Sequence, residues 1–128
     1  NLSFLKEVIS RLQENGIRTS IFVDPDIIAI EGAAEIKTDR IELYTEPYAT
    51  LYPINRWKAV EPFIAAAKAA KNMGIDVNAG HDLSLENLNY LYKNIPEIDE
   101  VSIGHALIAE ALYLGLEKTI QKYLECLR

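Results

Sequence analysis

The sequence predicts an α/β fold of about four βα units with four parallel strands, and two observations carry this prediction. Apolar residues alternate between helical and strand spacing along the chain, in the order α-β-α-β-α-β-α-β-α. Each connection between successive strands is long enough to hold a helix, and crossovers of that length join parallel strands. Four parallel strands form either a small open sheet or one half of an eight-stranded barrel.

The first part of the chain shows clear stop and start signals. Gly16 follows the opening helix, where glycine commonly ends helices. Asp24 is expected to cap the helix after the first strand, because proline at position 25 is tolerated in a first turn. These signals predict a helix over 2–14, a strand over 19–23, a helix over 25–36, a strand over 40–44 and a polar loop over 46–55.

The second part repeats the same alternation. Trp57, Val60, Ile64 and Ala67 share one face of a long helix and are expected to be buried, and Ser84 is expected to cap the next helix. The pattern predicts a helix over 55–73, a strand over 75–79, a helix over 83–94, a strand over 100–103 and a helical region over 106–128 with a break at Gly115.

Composition excludes several classes of protein. The chain has 128 residues, of which 49% are hydrophobic, and this suits one domain with a real core. A net charge of −6 argues against nucleic acid as a partner, and no apolar run is long enough for a membrane span. The single Cys126 excludes an internal disulfide and a cysteine zinc cluster. We therefore expect a cytoplasmic protein that binds neither nucleic acid nor membranes.

The start of the chain favours the half-barrel over the open sheet. The sequence begins at Asn1 without methionine, and helical spacing of apolar residues starts at Leu2. We expect residues 1–128 to be the C-terminal half-barrel of a single (β/α)8 domain whose N-terminal half is absent from this sequence.

Both histidines occupy the edge where the carboxyl ends of the strands meet, which is where parallel α/β folds carry their working residues. Gly104-His105 leads into a predicted helix, so the glycine admits a ligand and the free N–H groups attract an anion such as phosphate. The alternative is a tight turn at Gly104 with His105 as a helix cap, and the residues alone favour neither.

His81 and Glu42 are the candidates for proton chemistry. An imidazole titrates near neutrality and suits a proton carrier, although a loop histidine is equally well a solvated or structural residue. Glu42 lies between Ile41 and Leu43 and faces away from both, where a carboxylate inside a barrel is costly unless it is paired or used. In an open sheet the same glutamate is simply exposed.

Three strand ends together carry a resemblance. Ile-Glu-Leu-Tyr-Thr over 41–45, Val-Asn-Ala-Gly-His over 77–81 and Val-Ser-Ile-Gly-His-Ala over 101–106 resemble the C-terminal half of the pyridoxine 5′-phosphate synthase family. The resemblance implies half of a TIM (β/α)8 barrel, a homo-octamer and no metal or organic cofactor. It also implies a transferase of vitamin B6 biosynthesis, which condenses 3-amino-2-oxopropyl phosphate with 1-deoxy-D-xylulose 5-phosphate to form pyridoxine 5′-phosphate, phosphate and water.

The resemblance also implies a role for each candidate residue. His81 becomes the proton donor, Glu42 stabilises the transition state, and Gly104 and His105 bind the amino-ketone phosphate. Asp82 stands where the family usually has glycine, so we expect a phosphate contact from its backbone N–H while its carboxylate caps the following helix.

The rest of the family's machinery precedes Asn1 in its members, which makes the N-terminal half of the same barrel the expected partner and the fragment alone inactive. Two alternatives remain open: a phosphate-ligand-binding α/β module without catalysis, and a half-barrel with a purely structural role.

Overall fold

The computed structural model describes residues 2–128. This part of the chain folds into seven helices around a four-stranded sheet. The helices are α1 (Leu2–Glu14), α2 (Ile27–Glu35), α3 (Glu46–Leu51), α4 (Arg56–Asn72), α5 (Leu88–Asn94), α6 (His105–Leu114) and α7 (Leu116–Cys126). The strands are β1 (Ser20–Val23), β2 (Arg40–Tyr44), β3 (Asp76–Gly80) and β4 (Ile98–Ser102).

The sheet has the order β1-β2-β3-β4, and each neighbouring pair is parallel. This confirms the predicted α/β fold with four parallel strands. Because the strands run the same way, Val23, Tyr44, Gly80 and Ser102 all lie at one edge, which is the edge the sequence points to.

A register shift between Val77 and Asn78 interrupts the pairing of β3 with β4 and leaves Asp99 as the extra residue. The Asp99 carboxylate accepts hydrogen bonds from the Val77 N–H at 2.8 Å and from Lys71 Nζ at 2.6 Å. Burial raises the pKa of Asp99, but these hydrogen bonds outweigh it and hold the pKa below its usual range. At this register shift the Asp99 carboxylate is therefore the hydrogen-bond partner of the Val77 N–H.

The two faces of the sheet differ in character. One face packs Ile41, Leu43, Val77 and Ala79 into a core shared with side chains of α2, α3, α4, α5 and α7. The other face carries the alternate residues, and Phe22 on it is 56% exposed. The functional candidates belong to this second, open face.

Arg40 ties three strands together on the open face. Its Nη1 donates to Asn78 Oδ1 at 2.6 Å and to Glu100 at 3.3 Å, while Nη2 lies 3.4 Å from Asp76. The guanidinium is buried, and these contacts offset part of the cost of removing its charge from water, while its Nε has no hydrogen-bond partner among the described residues. Arg40 therefore links the strands on the same face as Glu42, which lies two residues further along β2.

Two predicted helix caps and one predicted loop are wrong. Asp26 caps α2 in place of Asp24, because its extended backbone lets the carboxylate accept from the Ile28 and Ala29 N–H groups. Ser84 does not cap α5, since residues 84–87 form a turn in which the Ser84 N–H donates to Asn87 Oδ1. The predicted 46–55 loop contains α3, because a proline near its start occupies a position that needs no N–H donor.

The buried face of α4 also differs from the prediction. Val60 and Ala67 are buried and Ile64 partly so, but Trp57 is more than half exposed. The buried stripe is dominated by small residues, which let α4 approach the strands closely. Its members are Ala59, Val60, Phe63, Ala66, Ala67 and Ala70.

No helix within residues 2–128 combines the length and apolar character needed to cross a membrane.

Candidate functional site

A cavity of about 450 Å³ lies at the carboxyl edge of the open face. It brings together all five residues that the sequence singles out, although they come from three different strand ends. They are Glu42, His81, Asp82, Gly104 and His105. The remaining lining residues are Phe22, Leu83, Ser102, Ile103 and Ala106.

Glu42 lies in the middle of β2 opposite Asn78, and its side chain extends over Gly80, the β3 residue paired with Tyr44. A Cβ atom on Gly80 would collide with Glu42 Oε1 and would lie 3.0 Å from the Ser102 Cβ. The carboxylate thus occupies the space that a side chain at position 80 would fill. Gly80 is needed here for close approach of a side chain to the backbone, a requirement the sequence alone does not reveal.

His81 and Asp82 adopt left-handed backbone conformations, with φ of +91° and +57°. Such angles cost a non-glycine residue on the order of 1–3 kcal/mol and persist where the surroundings enforce them. Within the described chain Lys37 is the one other non-glycine residue with positive φ. Two consecutive strained residues at the cavity mark this turn as a candidate functional element.

The His81 ring is oriented by contacts on two sides. Its edge meets the Tyr44 ring at a centroid distance of 4.8 Å, and Tyr44 in turn packs on Phe22 at 5.5 Å. His81 Nδ1 lies 3.2 Å from an Asp82 carboxylate oxygen. With Nδ1 facing this acceptor, Nε2 is the nitrogen left for a ligand.

The expectation that the Asp82 carboxylate caps the next helix is wrong. α5 begins six residues later, at Leu88, and Asn87 occupies the cap position. The carboxylate lies beside His81 instead. The backbone N–H of Asp82 as a phosphate contact stays a prediction.

Gly104 and His105 form an open entrance to α6. Gly104 is the cap residue, and the helix start has no side-chain cap. A Cβ atom at Gly104 would meet nothing within 4 Å. His105 is the first helical residue and is exposed. The free N–H groups of this helix start line a concave space, which suits an anion.

Phe22 and Tyr44 are site neighbours that the sequence analysis does not single out. Strand alternation provides a signal for both, since Phe22 and Glu42 occupy paired positions in β1 and β2, and Tyr44 follows Glu42 by two. Ser102 stands beside Gly80 across the β3–β4 pair, and the register shift at Val77 hides that relation from the sequence.

The chemistry available in the cavity is that of an acid–base group, a carboxylate and an anion-accepting helix start. Residues 2–128 contain no group of three or more histidine, cysteine, aspartate or glutamate side chains placed to hold a metal ion.

Comparison with known proteins identifies relatives along the whole chain. The sequence model of the family described as pyridoxal phosphate biosynthesis protein PdxJ matches residues 1–128. Curated proteins named pyridoxine 5′-phosphate synthase are 65% identical over 128 residues in Bacteroides fragilis and 64% identical over 128 residues in Bacteroides thetaiotaomicron. A third, from Flavobacterium johnsoniae, is 54% identical over 128 residues. Each match covers 100% of this chain and 54% of the relative, so the chain spans about half the length of these proteins.

Proposed function

The chain belongs to the family of the pyridoxal phosphate biosynthesis protein PdxJ, and on that premise we propose that it is the C-terminal half of a pyridoxine 5′-phosphate synthase. The complete enzyme condenses 3-amino-2-oxopropyl phosphate with 1-deoxy-D-xylulose 5-phosphate to give pyridoxine 5′-phosphate, phosphate and water. The fold suits this role, because four parallel βα units are half of an eight-stranded barrel.

The single observation that carries the proposal is the composition of the cavity. The five residues that the sequence predicts for the site come from three strands and line one space of about 450 Å³. That space holds an acid–base group and a carboxylate opposite a helix start, which matches a reaction of phosphorylated substrates that must move protons.

His81 is the proton donor in this proposal. Ring formation expels hydroxyl groups as water, and hydroxide is a poor leaving group without a positioned acid. His81 ends a strand in a strained turn, with Nδ1 against Asp82 and Nε2 free. Glu42, held over Gly80, places negative charge where a cationic transition state gains stabilisation.

The amino-ketone phosphate binds between the two glycine–histidine ends. Gly104 leaves open space in front of α6, and His105 stands beside it as a hydrogen-bonding group. The Asp82 backbone N–H contributes from the opposite side, while its carboxylate is turned to His81.

The partner of this half is the N-terminal half of the same barrel. β1 and β4 are the two outer strands of the sheet, so further strands close the barrel by pairing with them. We further propose a cytoplasmic homo-octamer that uses no metal or organic cofactor.

The test joins this chain to the N-terminal half of the Bacteroides fragilis relative and measures pyridoxine 5′-phosphate by mass spectrometry after adding both substrates. We expect product from the joined protein and none from residues 1–128 alone. A joined protein that folds, binds 3-amino-2-oxopropyl phosphate and forms no product would overturn the proposal in favour of a binding module.

A further inference from the structure

The strained turn at the end of β3 is held by hydrogen bonds to three consecutive carbonyl groups. These belong to Gly80, His81 and Asp82, which form the segment that carries the candidate acid. Each carbonyl accepts from a group outside the turn. Histidine and aspartate adopt a positive φ more readily than most residues but still at a cost, so these contacts help to hold the turn.

Thr45 supplies two of these three bonds. Its backbone N–H donates to the Gly80 carbonyl at 2.9 Å, and its Oγ1 donates to the His81 carbonyl at 2.5 Å. Thr45 is completely buried and directly follows β2. A buried hydroxyl with one short bond to a strained residue is placed to hold that residue's conformation.

Asn87 supplies the third bond and is itself anchored. Its Nδ2 donates to the Asp82 carbonyl at 3.1 Å, and its Oδ1 accepts from the Ser84 N–H at 2.9 Å. The Tyr48 hydroxyl donates to the Asn87 carbonyl at 2.6 Å. Burial raises the pKa of Tyr48 well above its usual range, so the hydroxyl keeps its proton and remains a donor.

We propose that Thr45 is a positioning residue for His81, whose buried hydroxyl holds the left-handed turn that presents the imidazole to the cavity. The proposal rests on the assignment of His81 as proton donor. Without the hydroxyl the His81 carbonyl loses its partner, and the turn relaxes toward a negative φ. The imidazole then leaves the position from which a proton reaches the leaving group, and a displacement of about 1 Å is enough to cost up to a hundredfold in rate.

The chain offers a matched control. Thr119 is also completely buried, and its Oγ1 donates to the Gly115 carbonyl at 2.9 Å. It lies in α7 and is not among the residues that line the cavity. Replacing either threonine with valine removes a buried hydroxyl and keeps the side-chain shape. The Gly115 carbonyl keeps the Thr119 backbone N–H as a donor at 3.1 Å, so Thr119→Val controls for the loss of a buried hydroxyl that has no contact with the His81 turn.

The experiment compares Thr45→Val, Thr45→Ser and Thr119→Val in the chain joined to the N-terminal half of the Bacteroides fragilis relative. We expect Thr45→Val to lower kcat roughly tenfold to a hundredfold with the KM for 3-amino-2-oxopropyl phosphate within threefold. We expect Thr45→Ser to restore kcat to within about threefold, and Thr119→Val to keep kcat.

Crystal structures of the same variants test the turn without reference to turnover. We expect residues 81 and 82 to leave their positive φ values in Thr45→Val and to keep them in Thr45→Ser. An unchanged turn in Thr45→Val, or equal losses of kcat in the two valine variants, would overturn the proposal. If the unaltered protein forms no product, the proposed function fails, and the crystal structures still decide whether Thr45 holds the turn.

Discussion

Gly80-His81 and Gly104-His105 are the same dipeptide at the ends of neighbouring strands, but they differ in what surrounds the glycine. A Cβ atom on Gly80 would collide with the Glu42 carboxylate, whereas one on Gly104 would meet nothing within 4 Å. His81 is held in a left-handed turn by bonds to its own and adjacent carbonyls. His105 is the exposed first residue of α6.

This difference shows that the neighbours of the dipeptide decide what it can do. Gly80 has close neighbours, and the turn that follows it leaves the His81 side chain little freedom, which suits a proton donor. An open glycine before a helix leaves room for a ligand and offers it backbone N–H groups, which suits binding. We therefore propose His81 for the chemical step and Gly104-His105 for ligand binding.

The largest expected effect comes from exchanging the two histidines for asparagine in the joined, complete protein. We expect His81→Asn to lower single-turnover product formation roughly 10²- to 10⁴-fold, the usual loss when a general acid is removed. Affinity for 3-amino-2-oxopropyl phosphate, measured by calorimetry, stays within a few-fold. We expect His105→Asn to weaken that affinity more than it slows the chemical step.

The two histidine variants serve as each other's controls. A wild-type rate in His81→Asn, or loss of chemistry confined to His105→Asn, would reverse the assignment of the two ends.

Alanine at the two glycines gives the next largest effect. We expect Gly80→Ala to lower kcat roughly tenfold to a hundredfold, because its Cβ displaces the Glu42 carboxylate. We expect Gly104→Ala to raise the KM for 3-amino-2-oxopropyl phosphate by up to about tenfold with kcat unchanged, since its Cβ fills ligand space. Steady-state kinetics measures both, and an unchanged KM in Gly104→Ala would show that this glycine serves only as a turn.

Thermal melting compares how much stability the protein loses when each of the same two glycines is replaced by alanine. Gly80→Ala is expected to destabilise the protein by about 1–3 kcal/mol through overpacking, whereas Gly104→Ala stays within about 0.5 kcal/mol. Equal shifts would mean that the two glycines have equivalent surroundings.

Asp82→Gly is expected to have the smallest effect of these variants, and it tests what the Asp82 side chain contributes to the turn at residues 81 and 82. Glycine accepts the positive φ of this position without strain and keeps the backbone N–H. We expect the KM for 3-amino-2-oxopropyl phosphate to stay level or fall, since a carboxylate near the phosphate is lost. We expect kcat to fall less than about tenfold, because His81 loses one of the two contacts that orient its ring and keeps the other. A tenfold rise in KM would instead show that substrate binding needs the Asp82 side chain to hold the turn.

The sequence was sufficient for the sheet but not for every helix start. Alternation of helical and strand spacing predicted four parallel strands, and the bounds of α1 and β2 agree with the structure to the residue. Helix starts were less certain because several polar residues compete to cap them. Asp26 stands two positions after Asp24, and the spacing of apolar residues does not distinguish the two.

The candidate site was predictable as a set of residues but not as a geometry. The carboxyl edge of parallel strands and the glycine–histidine pairs predicted His81, Gly104 and His105, strand alternation predicted Glu42, and the family resemblance added Asp82; all five are among the residues that line the cavity. Their roles stay predictions. Tertiary contacts determine the position of Glu42 over Gly80 and the bond from Thr45 to His81, and neither has a spacing or composition signal. The role proposed for Thr45 depends on its hydrogen bond to the His81 carbonyl, which only the structure shows.

The polar residues of the open face also determine which alignment of strands can form. Side chains alternate between faces, so sliding β2 by one residue would turn Arg40 and Glu42 toward the helices and bring Ile41 and Leu43 to the cavity. Buried without their partners, the two charges would cost more than one strand pair contributes. The polar side chains that give the correct sheet its site thus also disfavour a misaligned one.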